Sequence, residues 1–258
     1  GGRRARAGGE GREGRGSELR AGGGRSPRAG QELTLQGSQD KGGDRLGRAA
    51  GGDLKRLAAS TRNEAPRQAA ARTTSVSNSR EEERLLLSTL SGDKGVSLTA
   101  GNALLAAGAQ VDSTAGSIGL SANDVTIKEA HQQTQDLDSE RRGGGKSKSS
   151  RVVDYSRDEV TGSTFSGRDG VTVIAREGDI TATGSTLHSE TGGIALQAKN
   201  DVQLNSATEQ QSEYVESHSQ KKGFLKKSTT HTVQNDRVTR KQGTLLSGEP
   251  VSGVAGKD

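Results

Sequence analysis

The chain has 258 residues, of which 28% are hydrophobic and 2% aromatic, with no Met, Trp or Cys. Side chains large enough to fill a rounded globule of this length are scarce, and the missing Cys excludes disulfides and thiolate metal sites. The formal charge is +5, but residues 1–30 hold eight Arg against three Glu, so the remaining chain is neutral.

Two uses of such a composition remain: an unfolded chain, or a thin, elongated fold around a narrow column of Val, Ile, Leu and Ala. Both are expected, in different segments. No run of 18 apolar residues exists, so no helix of the chain can span a bilayer. The chain starts with Gly and stops at SGVAGKD inside a pattern; it reads as a fragment of something longer.

Residues 1–30 are low-complexity, with eleven Gly and only Leu19 as a large aliphatic. No core can form from them, and disorder is expected. An arginine–glycine arm can bind RNA or acidic surfaces; a solvated tail is the plainer reading. GEGREG at 9–14 satisfies Gly-x-Gly-x-x-Gly, but no apolar strand precedes it and no helix follows, so nucleotide binding is rejected.

Residues 31–84 read as a degenerate or partial repeat. Alternation begins at QELTLQGS (31–38) and returns weakly at AAGGDLKRLAAS (49–60). Residues 61–84 are polar, with no strong period. EEERLLL at 81–87 is the one stretch that suits an amphipathic helix.

A long repeat becomes clear from residue 85. STLSGDKGVSLTA (88–100) matches STFSGRDGVTVIA (163–175), and GSIGLSANDVTIKEA (116–130) matches GGIALQAKNDVQLNSA (192–207). The units are 85–162, 163–242 and a third that opens at 243 and runs to 258. A shorter period lies inside. Val96, Leu98, Ala100 and Leu105 recur 22 residues on as Ile118, Leu120, Ala122 and Ile127.

Apolar residues at i and i+2 share one face of a strand. Gly, Asn and Asp between the pairs tolerate turn geometry. About 22 residues therefore hold three short strands and three corners, one turn of a coil. Stacked coils about 4.8 Å apart hydrogen-bond strand to equivalent strand. No single coil buries its own apolar face, so repetition is required. The fold class expected is all-β: a parallel β-helix with polar inserts, preceded by the disordered Gly/Arg-rich segment.

The inserts are 131–159 and 208–242, at equivalent places in the repeat, either loops or long strands extending beyond the coil. Insertions in repeat folds map to one side and often carry recognition. Each holds a basic cluster: Arg141, Arg142, Lys146 and Lys148 in the first, and Lys221, Lys222, Lys226 and Lys227 around Phe224 and Leu225 in the second. Basic side chains beside an apolar pair suit anionic glycans, lipid headgroups or another protein. The bland alternative is a solvated loop whose charges offset nearby acids. Nucleic acid is not expected as a partner, because aromatic stacking groups are nearly absent.

The order STLSG-x-x-GVSLTAG, then GSIGLSANDVTIKEA, then a Gln/Ser/Lys-rich insert with KKGFLKKSTTHT (221–232), resembles the second haemagglutinin repeat class of filamentous haemagglutinins. These repeats also occur in contact-dependent growth inhibition proteins. The resemblance covers 85–258 well and 31–60 loosely. It implies a right-handed β-helix in a very long secreted Gram-negative protein, exported through an outer-membrane transporter partner and standing off the surface as a filament. The function it implies is an elongated shaft for adhesion to a host or neighbouring bacterial cell, through a glycan or protein receptor. A stalk or receptor-binding region of a contact-dependent toxin-delivery protein is the alternative, and RNA binding through the Arg/Gly arm a third.

No catalytic residue, metal site or cofactor is expected, and the chain is not read as an enzyme. GGGKS at 143–147 lacks the first Gly of a phosphate loop, since position 140 is Glu140. His131, His188, His218 and His231 have no metal-ligand spacing. Asp124 and Asp201 sit at turns, where Asp stabilises local geometry.

Overall fold

A computed structural model describes residues 18–21 and 28–256. The disorder expected for 1–30, and the GEGREG stretch, fall largely outside these residues. Within that segment Glu18–Ala21 and Arg28–Ala29 are short strands that join the fold.

The described residues form strands and turns, without helix, and three parallel sheets run the length of the molecule. The first two have seven strands each and the third six. Each turn of the coil visits them in order. One turn is Ser88–Gly92 on the first face, Val96–Ala100 on the second and Ala103–Ala107 on the third. The next is Ala109–Ser113, Ile118–Ala122 and Asp124–Lys128. This is the expected parallel β-helix.

The register follows the short period on the second face, where Val96 pairs with Ile118 and Leu98 with Leu120. Those residues pair onward, Ile118 with Val171 and Leu120 with Val173, and then Val171 with Ile194. On the third face the 22-residue spacing slips by one. Ala106, not Leu105, stands opposite Ile127, because Ala106 is the residue that points into the lumen, where it is fully buried.

The core is a single column of these inward residues, with Phe165 as its one aromatic. One layer breaks the apolar rule. Asp40, Arg48 and Arg56 point inward from the three faces of one turn and are almost wholly buried. They stand in register with Leu90, Leu98 and Ala106 of the turn above. Asp40 Oδ2 accepts from Arg56 Nη1 at 3.1 Å and lies 3.3 Å from Arg48 Nη2.

The corner between second and third faces is an Asx ladder. Asp53 Oδ1 accepts from Asn102 Nδ2 at 2.8 Å and from Ala103 N at 3.2 Å. Higher up, Asp124 Oδ1 accepts from Asp179 N at 3.1 Å, and Asp179 Oδ1 from Asp201 N at 3.0 Å. Asp53, Asp124 and Asp179 each thus supply an acceptor for the backbone of the next rung.

The corner between third and first faces alternates. In every other turn it is a single tight glycine with positive φ: Gly37, Gly108 or Gly184. In the turns between, the chain leaves the shaft as a long hairpin. The second and third hairpins, Ala130–Gly144 with Ser147–Thr161 and Ala207–Lys222 with Lys227–Gln242, are the two inserts found in the sequence, as long strands. The first hairpin, Ala59–Ala71 with Thr74–Leu86, occupies the stretch that showed no period. It also absorbs EEERLLL, so that stretch, which could have formed an amphipathic helix, is strand up to Leu86. That strand has ladder partners on both sides, Ala59–Ala71 and Ala130–Gly144, and ladder pairing outweighs local propensity.

Candidate binding site on the hairpin blade

The three hairpins pair with one another into one six-stranded antiparallel sheet, a blade alongside the shaft. Spacing explains why this works. Two turns of the coil rise about 9.6 Å, and a hairpin is two strands about 4.8 Å apart. A hairpin at every second turn therefore fills the blade without gap or overlap. Its strands of up to 16 residues reach roughly 50 Å from the corner that launches them.

Both faces of the blade are polar, held by its ladders and by cross-strand pairs such as Ser156 Oγ with Ser212 Oγ at 2.7 Å. Near the root some of its charges are paired, Arg62 with Glu81 and Arg157 with Glu159. A polar trough of about 460 Å³ crosses the strands there, bounded by Arg62 and Arg237 on the outer strands. Pro66 on the outermost strand of the first hairpin blunts that edge against further pairing.

The tips differ. Gly143 N donates to Thr73 O at 2.7 Å, and Lys222 N to Lys146 O at 2.8 Å, which ties the three tips side by side. The two basic clusters, about 75 residues apart in sequence, thereby become one strip: Arg141, Arg142, Lys146 and Lys148 beside Lys221, Lys222, Lys226 and Lys227. All eight are exposed. Arg72 at the first tip extends the strip; the aperiodic sequence around it gave no sign of a hairpin.

Arg142 Nε meets Glu140 Oε1 at 2.6 Å. None of the other cations of the strip has an ion pair among the described residues. Close pairing with acids is thus sparse at the tip, whereas some cations at the root have it. Phe224 and Leu225 crown the third tip, fully exposed at 102% and 92%, in a turn closed by Gly223 N donating to Lys226 O at 2.7 Å.

The GGGKS stretch lies at the second tip. His218 and His231 pair across the third hairpin with ring centroids 6.1 Å apart. His231 Nε2 lies 2.9 Å from Glu216 Oε1, a contact that holds the Glu216 carboxyl below its usual range. No cluster of three or more potential metal ligands occurs among the described residues.

A parallel β-helix with a hairpin blade along one corner defines a solenoid shaft built from repeats. Residues 142–258 match the family described as Hemagglutinin repeat, and this part of the chain is built of haemagglutinin-type repeats. The chain is 33% identical over 230 residues to the tRNA nuclease CdiA of Escherichia coli (strain STEC_O31), which covers 89% of this chain and 6% of that protein. It is 45% identical over 67 residues to the deoxyribonuclease CdiA of Dickeya dadantii (strain 3937), covering 26% of this chain and 2% of the relative. Over 89 residues it is 39% identical to the 16S rRNA endonuclease CdiA of Enterobacter cloacae, covering 34% and 3%. The chain thus spans only a small part of these relatives. No solved structure matches it.

Proposed function

We propose that the chain is a shaft segment of a large secreted surface protein of a Gram-negative bacterium, and that it serves adhesion by holding the blade towards another cell. The partners of this reading are a receptor on a host or neighbouring cell and, for the whole protein, an outer-membrane transporter. The segment itself acts without catalysis or cofactor. The observation that carries the reading is the blade: three hairpins, spaced by the coil's own rise, bring the tip cations and Phe224–Leu225 to one outer rim.

The test is cell binding by the whole chain and by a variant with residues 207–242 replaced by a single Gly. Binding that falls to background supports display by the blade. Binding that is unchanged makes the blade a mere spacer and ends the reading.

A second reading is favoured by the relatives, whose names are nucleases called CdiA: the same shaft belongs to a toxin-delivery protein, with the toxin elsewhere in the polypeptide. Attachment of the chain only to susceptible bacteria, and not to host cells, would favour it over general adhesion. RNA binding through the Arg/Gly arm requires retention of RNA on a filter that disappears when residues 1–30 are removed.

A further inference from the structure

We infer that the outer rim of the blade is a docking edge for an anionic lipid surface, with the tip cations on headgroup phosphates and Phe224 and Leu225 entering the interface. The inference rests on the display reading, and names the chemistry of the surface met.

Three observations converge on it. The first is charge without compensation. Some cations of the shaft are matched, as Lys55 is with Glu32, Lys94 with Asp44 and Lys199 with Glu177, while the strip at the tips gathers its cations side by side with one acid partner, Glu140. A cationic edge of this kind attracts a negatively charged surface over about a Debye length.

The second is the apolar pair. Phe224 and Leu225 are the most exposed large hydrophobic residues described, and they sit between Lys221–Lys222 and Lys226–Lys227. A soluble polyanion satisfies the lysines and leaves both side chains in water. A bilayer satisfies both, since lysine stems lie along the apolar region while the ammonium groups stay with the phosphates. That combination selects lipid over nucleic acid or an acidic glycan.

The third is placement. The pair lies at the end of the longest hairpin, farthest from the shaft, on a turn its own hydrogen bond closes. An approaching surface meets it before the shaft, and the ladder below fixes the strip in line.

Sedimentation of the full chain with vesicles tests the inference. One set is phosphatidylcholine alone; the other carries phosphatidylglycerol at about one lipid in four, at salt near 50 mM, where surface charge is weakly screened. The expected result is binding to the second set only. Replacing Lys221, Lys222, Lys226 and Lys227 by Gln is expected to weaken it roughly 600-fold, about fivefold for each charge. F224S/L225S is expected to weaken it roughly tenfold while leaving heparin binding unchanged; all six residues are exposed, and circular dichroism confirms that the variants fold.

Failure of the unaltered chain to sediment with phosphatidylglycerol overturns the inference. So does F224S/L225S binding as well as the parent, which makes the rim a general polyanion site. If deletion of 207–242 abolishes cell binding while vesicles are ignored, display survives and the lipid inference does not. If vesicles bind and cell binding ignores the deletion, the reverse holds.

Discussion

Gly108 faces Ala130 across one corner of the shaft: a Cβ on Gly108 would lie 2.6 Å from the Ala130 methyl and 2.9 Å from that of Ala58. Ala58 precedes the first hairpin and Ala130 begins the second. The glycine thus fills the turn between two hairpins, at φ 59°, where an L side chain is disfavoured. Gly37 meets Ala59 and Gly184 meets Ala207 in the same way. Gly108→Ala is expected to cost about 2–4 kcal/mol, from the positive φ and the overlap together. Adding Ala130→Gly should return part of that loss, the overlap term, in a double-mutant cycle read by urea denaturation. A full cost in both backgrounds would place the strain in φ and the Ala58 contact, not in Ala130.

The charged layer in the lumen gives a second prediction. Burial pushes the Arg56 guanidinium down from its ordinary value, and the Asp40 carboxylate pulls it part of the way back. Arg56 Nε is buried with no hydrogen-bond partner among the described residues. Removing Asp40 alone strips both guanidinium groups of a shared acceptor, so Asp40→Ala should destabilise by about 3–5 kcal/mol. Replacing the whole layer, D40L/R48L/R56L, restores the apolar column of neighbouring turns. It should be neutral, or stabilising by about 1–4 kcal/mol. Urea midpoints of both variants check this; a triple variant as unstable as the single one would mean the charges hold the turn together.

That layer also marks where sequence reading runs out. Val96, Leu98, Ile118 and Leu120 announce their inward face because apolar and polar residues alternate around them. Around Arg48 and Arg56 the inward residues are charged, so the alternation fades although the coil continues. The first hairpin is silent for a related reason. With neither face of the blade buried, nothing selects apolar residues at every second position, and period-2 patterning has no cause. The tip strip was legible as two basic clusters but not as one. Its joining depends on ladders between hairpins, and the available clue was the equality between two coil rises and one hairpin width.

The Asx ladder predicts a pH dependence. Hydrogen bonds from Asn102 Nδ2 and then Ala103 N hold the Asp53 carboxyl below its usual range. A group depressed in the folded state contributes stability above its unfolded pKa and loses it as pH falls through the folded one. The contribution of Asp53 is therefore present at neutral pH and fades below about pH 4. Asp53→Asn should melt below the parent at pH 7, and the two melting curves should converge on acidification through that window. A gap in melting temperature that persists at pH 2–3 would assign the loss to altered corner geometry instead.

The match between coil rise and hairpin width can be broken deliberately. Thr183 and Asn205 are equivalent positions, paired on the third face, so deleting Gly184–Asn205 removes one turn and joins Thr183 to Ser206 in register. The shaft keeps an unbroken column, because Leu245–Ser247 can stack on Thr164–Gly167 in place of Thr186–Ser189. The blade cannot follow. Only about 4.8 Å of rise would then separate the second and third hairpins, where two strands require about 9.6 Å. The ladder from Ser147–Lys221 to Asp158–Gln210 should be lost while each hairpin keeps its own. Amide hydrogen exchange reports this directly: protection should fall for the amides of both strands that face each other across that ladder, and persist for Val171–Ala175 in the shaft. Retained protection on both sides of the ladder would show that the blade sets its own spacing, and that the coil beneath it adapts.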